Sequence, residues 1–144
     1  MKSKRKLVLI IVLLLSLVVL ARPVSASNDN IKFNFTIKTY HANSVSGEKY
    51  RQTTNTKNNW KVNFSYSGEG AGTVTTFWLD KKMPWYAELN HQVVSGTYNV
   101  KQGTTIYKPA YSSASQQNVR LGAENNNYSA RSYTASGYWD EETD

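Results

Sequence analysis

Cysteine is absent from all 144 residues, so no disulfide cross-links this fold and no thioether lipid anchor can follow a processing site. Histidine occurs twice, at His41 and His91. With no thiolate and two distant imidazoles, no zinc ligand set is present, and a nucleophile has few bases to activate it. Both histidines read as surface residues of a loop or edge strand. Serine is plentiful, but no serine stands in a nucleophile-elbow context, and no cofactor-binding motif occurs. Long apolar runs are missing as well, with one exception at the N-terminus.

There Lys2, Lys4, Arg5 and Lys6 precede an apolar run over residues 7–21 whose sole strongly polar member is Ser16. As a helix those 15 residues reach roughly 22 Å, short of a hydrocarbon core of about 30 Å. Arg22 and Pro23 break the run, and Val24-Ser25-Ala26 supplies the small side chains of a signal peptidase site. The pattern predicts a signal peptide over residues 1–26, cleaved between Ala26 and Ser27, and a single secreted domain over residues 27–144. The membrane is then a partner only through the leader before cleavage.

Charge of one sign is also scarce once the leader is set aside. The whole chain carries +7, but five of its 17 basic residues precede residue 27 with no acid among them. Twelve bases then face ten acids, a net of +2, and outside Lys81-Lys82 the bases are scattered, which argues against nucleic acid as a partner. Aromatics are abundant instead. Four Trp, ten Tyr and four Phe all follow the leader and outnumber the 13 Leu, Ile and Val residues there. A cysteine-free domain of this composition must build its interior from rings.

Alternation of period two marks residues 31–39, with Ile31, Phe33, Phe35 and Ile37 on one face and Lys32, Asn34, Thr36 and Lys38 on the other. The same reading puts Trp60, Val62, Phe64 and Tyr66 inward and Lys61, Asn63 and Ser65 outward. Glycines at 68, 70 and 72 predict a hairpin from this strand into residues 73–79. Short strands follow at 97–100 and 104–107, and a tight turn at Asn125-Asn126-Asn127 predicts a second hairpin. Residues 40–58 are long for a bare loop, so an edge strand is expected near 49–53. With turn signals about every 8 to 12 residues and no helical stripe, the expected fold class is all-β, a small antiparallel sandwich or barrel-like domain.

The carboxylates Glu48, Glu69, Asp80, Glu88 and Glu124 are scattered, with Glu69 and Asp80 expected in solvated turns, and give no glycosidase pair. The acidic tail over 140–144 lacks the glycine turn of a calcium loop and reads as a frayed, solvated terminus, so no metal and no cofactor are expected. The binding candidates are the adjacent pairs Trp85-Tyr86 and Tyr138-Trp139. In a strand one member of each pair faces away from the other, leaving at least one ring for a sugar or a protein partner.

Asn59-Trp60-Lys61-Val62-Asn63, Thr75-Thr76-Phe77-Trp78, residues 123–128 (AENNNY) and residues 136–143 (SGYWDEET) together resemble a family of small secreted proteins from bacilli and other Firmicutes, catalogued as a domain of unknown function. The resemblance implies a Gram-positive, extracellular, non-enzymatic protein and transfers no active-site residue. A looser similarity is to secreted β-sandwich bacteriocins of the lactococcin 972 type. The expected function is a secreted, non-catalytic β-domain that binds cell-wall glycan or a surface protein through exposed aromatics. The alternatives are a bacteriocin-like or toxin-like effector and, third, a glycan-active enzyme.

Overall fold

Strand β1 (Ile31–Ile37) buries Phe33, Phe35 and Ile37 and exposes Lys32, Asn34 and Thr36, as its alternation requires. It pairs antiparallel with β10 (Tyr133–Asp140), which pairs with β4 (Trp60–Ser67), which pairs with β8 (Thr104–Lys108). A second antiparallel sheet is built on β5 (Val74–Lys82) and β9 (Gln117–Asn125). The outer side of β9 is covered by β2 (Ser44–Val45) and then β3 (Lys49–Arg51), and the outer side of β5 by β6 (His91–Val93) and then β7 (Tyr98–Lys101). Each edge of this sheet is therefore an interrupted strand, a form that blunts edge-to-edge association. The computed structural model describes residues 28–87 and 90–143, so the leader, the Ala26–Ser27 cleavage site and Glu88 lie outside the described residues. The described chain is all-β, with a single 3-10 turn at Ser112–Ala114 and no α-helix.

The two sheets close on one core that draws on both walls. The Phe77 ring of β5 is flanked edge-on by Phe33 at 5.7 Å and by Phe64 at 5.6 Å, both from the facing sheet. Such ring pairs add about 0.5–1.5 kcal/mol each beyond their buried area, which is how a chain without disulfides ties its layers together. Tyr133 adds a polar tie, its hydroxyl 2.9 Å from Oγ1 of Thr75 across the sandwich.

Neither expected hairpin forms. β4 and β5 lie in different sheets, and so do β9 and β10. Gly70 and Gly72, at φ +100° and +91°, turn the chain across the sandwich rather than back along the same sheet. Turn residues specify a reversal; which strands then pair is decided by the partners each strand finds. Among the described strands, only β5 and β6 pair with a neighbour in sequence. The expected edge strand near residues 49–53 is present as β3.

Tyr66, expected inward, points out and is exposed, because β4 bulges. Phe64 pairs with Gly137 while Tyr66 pairs with Ser136, so Ser65 is an extra residue and the inside–outside phase flips, burying Ser67. Gly137 is obligatory here, since a Cβ on it would lie 1.9 Å from the carbonyl oxygen of Asn63.

Over residues 140–143 the acidic tail, expected to fray into solvent, is a buried clasp; Asp144 lies outside the described residues. Asp140, Glu141, Glu142 and Thr143 are all buried. Fully buried Arg51 donates to the Glu141 carbonyl and, at 2.6 Å, to the Asn58 carbonyl. The Glu142 carboxylate accepts the backbone N–H groups of Gln52 and Thr53 at 3.2 and 2.8 Å. Thr143 donates from its N–H and its hydroxyl to the Asn59 carbonyl. Lys61, expected to face solvent, is folded over Asp140 at 3.7 Å and bonded to the side chains of Asn28 and Asn30. Asp140, with a cation in reach, and Glu142, with two backbone donors, can be buried, and this is what overrides the bias of acidic termini toward solvent.

Candidate functional site

The outward face of β5 carries Thr76, Trp78, Asp80 and Lys82, the positions that alternate with the core residues Phe77 and Leu79. Asp80 was expected in a solvated turn. It sits inside β5, 1 % exposed, because the strand continues past Leu79 to Lys82. Arg120 of β9 is its direct cross-strand partner, donating from Nε at 3.0 Å and from one terminal nitrogen to Oδ1. His91 of β6, opposite Lys82, brings Nδ1 to 2.9 Å from Oδ2. His91 Nδ1 has no hydrogen-bond partner, so this is a close approach and not a directed hydrogen bond.

The buried carboxylate thus fixes a guanidinium and an imidazole at the floor of a groove of about 260 Å³, which Asn43, Val45, Lys82 and Asn90 also line. Two amides, one fixed guanidinium, a lysine and a histidine offer hydrogen bonds to a polyhydroxylated or acylamino ligand. Beside Asp80 the strand makes another close fit. The Trp78 indole lies over Gly122, where a Cβ would come within 2.4 Å of it.

The same hairpin carries Trp85 and Tyr86 at its tip. Trp85 is 94 % exposed and Tyr86 75 %, their rings 5.8 Å apart and nearly perpendicular. They lie in a turn and not in a strand, so both face solvent instead of one in and one out. A second groove, lined in part by Lys81, Lys82, Met83, Pro84 and Trp85, runs along the base of the tip. Aromatic tip and polar groove are therefore neighbours on one hairpin.

The other expected pair does not join them. Trp139 is fully buried among the core rings and can touch no partner. Tyr138, one residue before it on β10, faces outward on the opposite sheet and is 40 % exposed beside Lys32, Asn34 and Ser136. Of the four rings, only Trp85 and Tyr86 share a surface. The Asp80–Arg120–His91 cluster was not recognised in the sequence, although continuing the period-two pattern through Thr76, Trp78, Asp80 and Lys82 would have put Asp80 on a sheet face. No group of three or more metal-ligating side chains occurs among the described residues.

Among solved structures, one described as "Crystal structure of PirA" is similar to this chain at 14 % sequence identity, with a TM-score of 0.43, covering 80 % of this chain and 98 % of that one. A comparison with curated proteins found no match. The family described as "Protein of unknown function (DUF2712)" matches residues 17–143, nearly the whole sequence with all ten described strands, and the chain belongs to that family.

Proposed function

We propose that this protein is an exported, non-catalytic binding domain that holds cell-wall glycan through the β5–β6 hairpin. One observation carries the reading: two solvent-facing rings, Trp85 and Tyr86, stand at the tip of a hairpin whose base is a groove of fixed polar groups. An indole exposed this fully costs solubility and adds nothing to the core, so its place on the tip is explained by contact with a partner. Sugar rings present an apolar face for stacking and hydroxyl and acetamido groups for the groove. The export signal at residues 1–26 would deliver the domain to the wall.

A hydrolytic role fits less well. Asp80 is locked by Arg120 and His91, and Glu124 lies opposite Thr76, four residues from Asp80 along β5. Four residues of strand separate the two positions by roughly 13 Å of backbone, wider than the roughly 5–9.5 Å across which a glycosidase pair works. Co-sedimentation with purified, insoluble peptidoglycan tests the reading. The wild-type protein is expected in the pellet and the Trp85→Ala/Tyr86→Ala variant in the supernatant; wild type left wholly in the supernatant overturns it.

A further inference from the structure

A second aromatic cluster stands at the other end of the sandwich. β5 is nine residues long, roughly 30 Å, and leads from Val74 to Lys82 and the Trp85 tip. At the Val74 end, Asn125 pairs with Thr75 and Tyr133 pairs with Ile37, so the loops that follow β1 and β9 meet there. They bring Tyr128 against the adjacent Tyr40 and His41, a meeting too distant in sequence for any local pattern to encode. The Tyr40 and Tyr128 rings are 5.1 Å apart, tilted by 48°, and His41 meets Tyr128 edge-on at 5.7 Å. All three are exposed, Tyr128 by 77 %.

The backbone is strained to make this cluster. Tyr40 and His41 adopt consecutive left-handed conformations at φ +54° and +58°, a region disfavoured for a bulky side chain. The Tyr40 N–H donates to the Ser129 carbonyl at 2.8 Å, which pins one loop to the other. A glycine or asparagine would relieve this strain, and the core does not call for it, because the rings lie outside the core. The connection that supplies Tyr128 also supplies Arg131 and Ser132 to a groove of about 810 Å³, shared with Gly68, Glu69 and Thr73. One cation and one anion balance in charge beside the hydroxyls of Thr73, Ser132, Tyr133 and Thr134, which suits an uncharged, hydroxyl-rich ligand better than an anion or a basic peptide.

The geometry points to a second sugar-binding site, in which Tyr40, His41 and Tyr128 stack on a neutral sugar ring and the neighbouring groove bonds its hydroxyls. This site owes nothing to the Trp85 tip, and with it the domain becomes bivalent, able to bridge two glycan strands from opposite ends.

The test is a titration of the purified, isotope-labelled protein with chitotetraose and with a soluble peptidoglycan digest, read by amide and ring chemical shifts. Expected are shifts at Tyr40, His41 and Tyr128, and a roughly tenfold loss of affinity at that end in Tyr128→Ala. Tyr128 is exposed, so that variant should keep the wild-type melting temperature. Tyr40→Gly should melt higher than wild type and bind more weakly, an opposition that a purely structural cluster would not show. Shifts confined to Trp85 and Tyr86 overturn the second site and leave the hairpin reading intact. Shifts confined to Tyr40, His41 and Tyr128 do the reverse, and silence at both ends with both probes overturns both.

Discussion

Arg51 and Glu141, 90 residues apart in the chain, meet where the buried guanidinium of one donates to the backbone carbonyl of the other. The contact fastens the strand that edges one sheet to the C-terminal end of β10 in the other. Burial pulls the Arg51 guanidinium below its usual value, opposed by the carboxylates of Glu142 and Glu141. Replacing it with an apolar side chain would strand Glu142 and several carbonyls without their cation. Arg51→Met is expected to lose about 3–5 kcal/mol of stability in urea denaturation. A loss under about 1 kcal/mol would mean that the clasp is not holding the sheets.

The clasp also predicts a pH dependence. Burial, reinforced by the charges of Asp140, Asp29 and Glu142 and only partly offset by its own backbone N–H, pushes the Glu141 carboxyl from 4.5 up to about 7. Burial raises Asp140 in the same direction. Between the two Glu141 values the folded chain holds a proton that the unfolded chain has released. Stability from this group is therefore full below about pH 4.5, falls as pH rises, and levels above about pH 7, by at most 1.36 kcal/mol per unit for each proton. Melting temperatures measured from pH 4.5 to 8 should decline, and Glu141→Gln should flatten the profile.

Gly122 and Trp78 make a packing prediction. A Cβ on Gly122 would stand 2.4 Å from the indole, so Gly122→Ala must move the ring and is expected to cost about 1–3 kcal/mol. In a Trp78→Ala background the same change should cost far less. Additive losses in the double variant would show that the two do not compete for this space.

On the neighbouring cluster, Arg120→Met is expected to cost about 3 kcal/mol, because Asp80 stays buried with only His91 beside it. His91→Ala, at the more exposed side, should cost under about 1 kcal/mol. Equal losses from the two would contradict the assignment of Arg120 as the principal partner.

Much of this architecture was legible in the chain. The alternation of Phe33, Phe35 and Ile37 located β1 and its inner face, and the unexplained length of residues 40–58 located β3. Strand partners were not legible. Asn125-Asn126-Asn127 reads as a hairpin, but β9 and β10 each find better partners in opposite sheets, a long-range outcome that local turn chemistry does not encode. Tyr66 was misread because a one-residue bulge reverses phase without leaving a mark in the alternation before it. The acidic tail misled in another way, since the groups that neutralise it, Arg51 and Lys61, come from distant strands. Of the candidate binding residues, Trp85 and Tyr86 are on the surface and Trp139 is not, a difference set by turn against core strand.

Tryptophan fluorescence isolates the site on which the functional reading rests. Of the four tryptophans, Trp60, Trp78 and Trp139 are buried and Trp85 is 94 % exposed, so a collisional quencher such as iodide reports on Trp85 almost alone. Adding a soluble peptidoglycan digest to the wild-type protein should shield that component from iodide, and Trp85→Phe should abolish both the quenchable signal and its protection. A quenching curve unchanged at saturating digest would contradict glycan binding at the hairpin tip.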